Sequence, residues 1–156
     1  MIAKFAGLTD AESTQLVDAI PLITILIAGA DGDIDPTETE WAEKLTKIRQ
    51  YDYDNELNDF YKKVGEGYSD RVSALIAELP GDTDRRVDMI SDRLGKLNNI
   101  LAKIDKDYAV GLISSFKTFA NHVAKASGGF FGFGAVSNEE HKLIDLPMIN
   151  PIAGEL

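Results

Sequence analysis

The sequence predicts an all-α protein in which six or seven helices form a single-domain bundle. Three observations indicate this class: apolar residues recur at helical spacing in every long segment, no segment alternates like a strand, and capping residues mark several helix starts. The 156 residues, 44% of them apolar, suffice for one filled core and are few for two domains. We therefore treat residues 1–156 as one domain.

The first predicted hairpin spans residues 9–49. Thr9 and Glu12 have the spacing of a capping box, and apolar residues then recur at helical intervals for about twenty residues. Pro21 lies inside this helix and lacks an N–H, which predicts a kink or a break near residues 18–20.

The second helix begins at Pro36, directly after the N-cap residue Asp35. Its expected buried residues are Trp41, Leu45 and Ile48. Two shorter helices follow, at residues 52–64 and 69–79. The residues expected inside are Leu57, Phe60, Tyr61 and Val64 in the first, and Val72, Leu75, Ile76 and Leu79 in the second.

The second half of the chain repeats the helical pattern. Residues 84–104 carry apolar side chains in an a/d rhythm, which predicts one long helix packed along a seam inside the bundle. Residues 107–125 form the next helix and lead into a loop rich in glycine and phenylalanine at 127–134. A capping box at 137–140 opens a short helix, and an irregular tail occupies 146–156.

Charge, cysteine content and hydropathy narrow the classes of function. The net charge is −10, and residues 31–59 contribute −7 of it, so this surface repels nucleic acid and attracts cations or basic proteins. The absence of cysteine excludes disulfides and thiolate chemistry. The uncharged run at residues 19–30 is short for a membrane span, so we expect a cytoplasmic protein without a transmembrane segment.

An acidic elbow separates the first two helices. Its carboxylates are Asp31, Asp33, Asp35 and Glu38. Such oxygen ligands suit calcium, magnesium or manganese, so one interpretation is a divalent-metal site. The other is structural: Asp31 begins a turn, and Asp35 and Glu38 satisfy free amides at a helix start. An EF-hand is rejected because its glycine and bidentate glutamate positions hold other residues.

The two ends of the chain are similar to each other. Residues 34–38 and 136–140 each place an aliphatic residue, an N-cap residue and an acid at the third helical position. The repeat predicts a second hairpin at residues 107–145, packed as a pseudo-symmetric copy of the first with the two elbows close together.

The segment A-G-A-D-G-D-I-D-P-T-E-T-E-W resembles the tellurite-resistance TerB family, in which a helix ends in a motif of this type and the second half carries a degenerate copy. Asp31 and Glu38 match the acidic positions of the motif, and Glu140 matches the glutamate of its second copy. The resemblance implies an all-helical domain of bacterial stress-response systems with an acidic cluster able to bind a divalent metal. Ser127 replaces the second aspartate, so the first elbow would hold most of any metal.

The loop that follows the predicted helix at 107–125 combines large apolar side chains with several glycines. The apolar side chains are Phe130, Phe131 and Phe133. These rings could anchor a protein partner or a lipid surface, which allows peripheral membrane association, or they could fold back over the cleft between the hairpins.

No motif of a known catalytic site is present, and His122 and His141 are expected on the surface. The sequence therefore favours a protein without enzymatic activity. Three hypotheses remain: a TerB-like binding module with a metal-binding elbow, a metal-free acidic scaffold that docks basic protein partners, and an enzyme whose site has no sequence signature.

Overall fold

The computed structural model describes residues 2–30, 32, 34, 36–51, 55–130 and 143–151. Within these residues the chain forms a 3-10 helix, seven α-helices and no strand, which confirms the predicted all-α class. The 3-10 helix is Ala3–Phe5, and the α-helices are α1 Asp10–Ala28, α2 Pro36–Arg49, α3 Asn55–Gly65, α4 Tyr68–Glu78, α5 Thr83–Gly95, α6 Leu97–Leu101 and α7 Lys106–Phe130. Their buried faces meet in one hydrophobic core.

Helix α1 is the centre of the core. The predicted capping box is present: Thr9 N–H donates to Glu12 Oε1 at 3.0 Å, and Glu12 N–H donates to Thr9 Oγ1 at 3.1 Å. All residues at 19–30 are buried, and α1 packs against each of α2 to α7. The helix continues through Pro21, so of the predicted kink or break the break does not occur. Burial on every side of this segment offsets the hydrogen bond that proline removes.

Among the described residues, α1 is the one helix with the length and apolar composition of a membrane span. The sequence analysis counted the shorter uncharged run and missed this, because the helix starts well before that run. Most of the apolar segment lies inside the bundle, and a core helix meets the same criterion as a membrane span.

Helix α2 differs most from its predicted orientation. Leu45 is buried as expected, but Trp41 is 39% exposed and Ile48 is 45% exposed, so two of the three predicted core residues are wrong. The buried polar residues of α2 are Glu38, Thr46 and Arg49. The helix lies against α3 and α7 through this polar side because Arg49 hydrogen-bonds to both of those helices.

Helices α3 and α4 bury the predicted residues with one exception. Ile76 is 38% exposed, whereas the other seven are buried. Helix α4 is joined to α1 by a buried hydrogen bond of 2.6 Å between the hydroxyls of Thr24 and Tyr68. Burial raises the pKa of Tyr68 well above its ordinary value, so this hydroxyl stays protonated.

The long helix predicted at residues 84–104 is two helices, α5 and α6, which meet at Lys96. Gly95 and the asparagines of α6 are weak helix formers, and Asn98 also bonds to the C-terminal segment. Its Nδ2 donates to Met148 O at 3.0 Å, and its Oδ1 accepts from Asn150 N–H at 2.8 Å. The described part of the tail, residues 146–151, is irregular as predicted, yet Leu146 and Ile149 are buried.

Helix α7 extends past its predicted end at Lys125 and stops at Phe130, so the glycines at 128 and 129 are helical. Its predicted inward residues, Leu112, Phe116, Phe119 and Val123, are fully buried. The ring of Tyr108 meets that of Phe5 edge-on at 6.0 Å, which places the start of α7 beside the N-terminal 3-10 helix. The remainder of the second predicted hairpin lies mostly outside the described residues, so the pseudo-symmetry stays a prediction.

Candidate functional site

The acidic elbow falls largely outside the described part of the chain. Asp31, Asp33, Asp35 and Glu140 are among the undescribed residues. Glu38 is described and is buried in the first turn of α2, with 1% of its surface exposed. Within the described residues no group of three or more metal-ligating side chains comes together. The metal site therefore remains a prediction.

Arg86 of α5 reaches the described backbone of the elbow. Its Nη2 donates to Gly29 O at 2.9 Å and to Gly32 O at 3.1 Å, and its Nη1 lies 3.5 Å from Gly81 O. The side chain is buried, and it places a positive charge at the carbonyl end of α1, where the helix dipole favours a cation. Arg86 thus binds two elbow carbonyls that a metal would otherwise use.

Gly29 makes the approach of this arginine possible. A Cβ atom at Gly29 would lie 2.9 Å from Arg86 Nη2 and 3.0 Å from Ile34 Cγ1. The sequence analysis did not identify Arg86, because an arginine in an amphipathic helix usually faces solvent. The glycine in the A-G-A-D-G segment was the available signal, since glycine often marks close approach of another group.

A groove of about 1010 Å³ lies at one side of α1. Its walls come from the first half of α1, the end of α3, the first half of α4 and the N-terminal 3-10 helix. Its floor is apolar and consists of Ile2, Phe5, Val17, Pro21, Val64 and Ala74. The sequence did not predict it, because its residues lie up to seventy positions apart.

Two ion pairs cross or border this groove. Arg71 of α4 forms a bidentate pair with Asp18 of α1, with Nε to Oδ1 at 2.9 Å and Nη2 to Oδ2 at 2.6 Å. The hydrogen bond to Asp18 raises the pKa of Arg71 above its ordinary value, so the guanidinium stays protonated. Lys63 Nζ contacts Glu66 Oε2 at 3.2 Å at the exposed end of α3.

The remaining charges on the groove leave an acidic excess. Asp10, Asp59 and Asp70 are exposed, and they form no ion pair with any lysine or arginine of the described residues. Lys62 is the one cation of the lining that is likewise unpaired within that part of the chain. Three carboxylates therefore face one ammonium group, and the rim favours a positively charged occupant.

A buried polar network holds α2, α3 and α7 together. The guanidinium of Arg49 donates to Tyr61 Oη at 2.9 Å, to Ser115 O at 3.0 Å and Oγ at 2.9 Å, and to Thr118 Oγ1 at 3.1 Å. It also lies over the rings of Tyr61 and Phe119, at 5.3 and 5.4 Å from their centroids. This network fixes the side of α2 that carries Arg49 inward and leaves Trp41 and Ile48 exposed.

The other predicted site residues contribute little that the structure describes. Phe130 ends α7, but its side chain and the residues Phe131 and Phe133 lie outside the described part, so the aromatic anchor stays a prediction. His122 is exposed as expected, and His141 is not described. Partial burial, followed by the charges of Arg49 and Lys125, lowers the pKa of His122 below its ordinary value.

Comparison of the chain with family models, with curated proteins and with solved structures finds no match. The resemblance to TerB therefore rests on the residues of the elbow. The functional proposal below rests on the geometry and charge of the groove.

Proposed function

We propose that the protein is a non-catalytic binding module whose groove receives a basic amphipathic helix of a partner protein. The observation that carries this proposal is the combination of an apolar floor with unpaired, exposed carboxylates on the rim. A helix laid in such a groove buries its apolar stripe against the floor and leaves its charged residues at the rim. Three aspartates facing one lysine then select lysine and arginine on the partner.

The dimensions of the groove also fit a helix better than a small molecule. Along α1 it runs from Asp10 to Pro21, which at the rise of an α-helix is about 16 Å or three turns. Its volume lies at the upper end of small-molecule sites, about 300–1,000 Å³. The unpaired charged groups of its rim are exposed, whereas a small-molecule site uses a few convergent buried groups.

The proposal is tested with a helical peptide of about three turns in which leucine forms one face and lysine the other. Asp59→Lys together with Asp70→Lys should weaken its binding about tenfold in fluorescence anisotropy, because two favourable contacts become repulsive. The matched control is Asp88→Lys together with Asp84→Lys on α5. In both double variants, one substituted residue lies in the first turn of its helix and the other lies further along its helix. Both double variants change the net charge by the same amount.

Equal weakening by the two double variants would show that the peptide responds to net charge alone and would contradict the groove. A second test changes a residue of the apolar floor. Val17→Glu should remove binding while the melting temperature stays close to that of the unmodified protein, since Val17 is only partly buried. A peptide with glutamate in place of lysine should not bind.

A second candidate function is divalent-metal binding at the elbow, with a role in a bacterial stress response such as tellurite resistance, as the TerB resemblance implies. It rests on the four carboxylates that the elbow gathers within eight residues, whose mutual repulsion a cation would relieve. Arg86 already occupies the carbonyl oxygens of Gly29 and Gly32. Because Arg86 uses those oxygens, a metal would be held by the carboxylates of Asp31, Asp33 and Asp35, with Glu38 and Glu140 as further ligands.

Metal binding predicts a rise in melting temperature with calcium, magnesium or manganese. With a dissociation constant of about 10 µM, 1 mM metal would stabilise the fold by about 2.7 kcal/mol, or about 5–10 °C. Asp31→Asn should abolish the rise, and Asp107→Asn, in the first turn of α7, should leave it intact. An unchanged melting temperature of the unmodified protein at millimolar metal would reject this candidate.

A further inference from the structure

The outer face of α2 and the turn after it carry several exposed large hydrophobic residues. Five large hydrophobic residues are exposed in the described part of the chain, and three of them belong to this face: Trp41, Ile48 and Tyr51, the last 79% exposed. The buried side of the same helix carries Glu38 and Arg49 together with Ala42 and Leu45. A helix that buries charge and exposes aromatic rings departs from the usual amphipathic pattern, and such a face marks an interaction surface.

The exposed residues of α2 have the spacing of a coiled-coil seam. Trp41, Lys44, Ile48 and Tyr51 follow one another at intervals of three, four and three residues. A turn follows the end of α2, in which Tyr51 N–H donates to Ile48 O at 3.1 Å. A repeat of three and four residues keeps one stripe of a helix facing a partner helix. We call this stripe the α2 seam.

We propose that the α2 seam pairs with the α2 seam of a second copy of the chain in antiparallel orientation. Parallel pairing would place Lys44 against Lys44 of the second copy, which like charges disfavour. Antiparallel pairing places Lys44 against the ring of Trp41, where a cation is attracted. The same register brings Glu40, beside the seam, against Lys47 of the second copy. Two-fold symmetry makes each contact occur twice.

A second copy fits this face better than the basic helix proposed for the groove. Beside its apolar residues the α2 seam presents Lys44 and Lys47 against Glu40, all exposed, so it is not acidic. Lys47 Nζ lies 3.9 Å from Glu43 Oε1 of the same helix. The side chain of Lys47 is nevertheless 69% exposed, so it can reach a second chain. A basic partner would meet two lysines here, whereas a second copy supplies the complementary glutamate.

Salt dependence separates self-association from groove binding. Each copy carries a net charge of −10, so two copies repel at low ionic strength, and salt screens that repulsion while leaving apolar burial intact. Dimerisation should therefore strengthen as sodium chloride is raised from about 10 to 300 mM. Binding of the basic peptide in the groove should weaken over the same range, so failure of one proposal leaves the other testable.

Sedimentation velocity of the full chain tests the pairing. Because a single helix per protomer forms a small interface, we expect a weak dimer that appears between about 10 µM and 1 mM protein. Ile48→Glu should keep the protein monomeric at all these concentrations. Ile76→Glu is the matched control, an isoleucine of similar exposure on α4, and it should dimerise like the unmodified chain. A monomeric unmodified protein, or equal loss in both variants, overturns the proposal.

A charge exchange tests the antiparallel register. Glu40→Lys alone and Lys47→Glu alone should each lose the dimer, because both contacts then bring like charges together. An equimolar mixture of the two variants should dimerise, since opposite charges meet again at both contacts. Circular dichroism melts identify any variant that fails to fold. Because Glu40 and Lys47 are exposed, we expect both variants to fold, so that loss of the dimer reports loss of pairing. If the mixture stays monomeric while the unmodified chain dimerises, the proposed register is wrong.

Discussion

Arg86→Met is expected to lower the free energy of unfolding by about 3 kcal/mol. The substitution keeps the length and apolar stem of the side chain but removes the donors to Gly29 O and Gly32 O. Each hydrogen bond from a charged donor contributes about 1.5–3 kcal/mol, and the carbonyl of Gly29 would keep only its bond from Gly32 N–H at 3.1 Å. Relief of the desolvation of the guanidinium offsets part of this loss. Urea denaturation measures the difference.

Arg85→Met is the matched control, because Arg85 is adjacent in sequence and exposed. Its change in stability should stay within about 0.5 kcal/mol. Gly29→Ala should act in the same direction as Arg86→Met, by about 1–3 kcal/mol, since the added methyl group displaces the guanidinium or Ile34. Gly111→Ala, inside α7 with open space around it, should instead stabilise by about 0.5–1 kcal/mol. Equal stability of the two arginine variants would contradict the role of Arg86.

Arg49→Lys is expected to cost about 2–3 kcal/mol despite the conservation of charge. A lysine places one ammonium group where the planar guanidinium reaches Tyr61, Ser115 and Thr118 at once. Some of the bonds from the guanidinium are then lost, although the hydroxyls of Tyr61 and Ser115 still bond to each other. Stacking of the guanidinium over the rings of Tyr61 and Phe119 is lost as well. Arg93→Lys is the control, since Arg93 pairs with Glu78 at the surface and should lose little.

Energetic coupling between Arg49 and Ser115 distinguishes the loss of buried hydrogen bonds from a simple loss of packing. In a Ser115→Ala background the cost of Arg49→Lys should be smaller, because one of the bonds is already absent. Arg49→Met should also raise the pKa of His122, since the positive charge of Arg49 contributes to lowering it. Arg49→Lys keeps that charge and should change this pKa less. Additive stability changes together with an unmoved His122 pKa would contradict the network.

The proposals assign different tasks to different faces of one bundle. The groove beside α1 is acidic and apolar, and we propose that it binds a basic helix. The α2 seam is apolar with balanced charge, and we propose that it binds a second copy. Because α2 is held by Arg49 and the elbow by Arg86, both stability predictions also test the framework that positions these surfaces.

Local patterns in the sequence determined the helical class, most helix positions and much of the core. The Thr9 and Glu12 capping box, the buried residues of α3 and those of α7 depend on neighbours within a few positions, and all were predicted correctly. Hydrophobic periodicity records which side of a helix is apolar, and for these helices the apolar side is the buried one.

Tertiary structure alone decided the orientation of α2, the division of α5 from α6 and the formation of the groove. Apolar periodicity placed Trp41 and Ile48 inside, but the buried hydrogen bonds of Arg49 turn the opposite side of α2 to the core. Arg86 and the groove likewise depend on residues more than fifty positions apart. Such contacts leave no periodic trace in the sequence, because the partner that satisfies a buried polar group is chosen by the packing of distant helices.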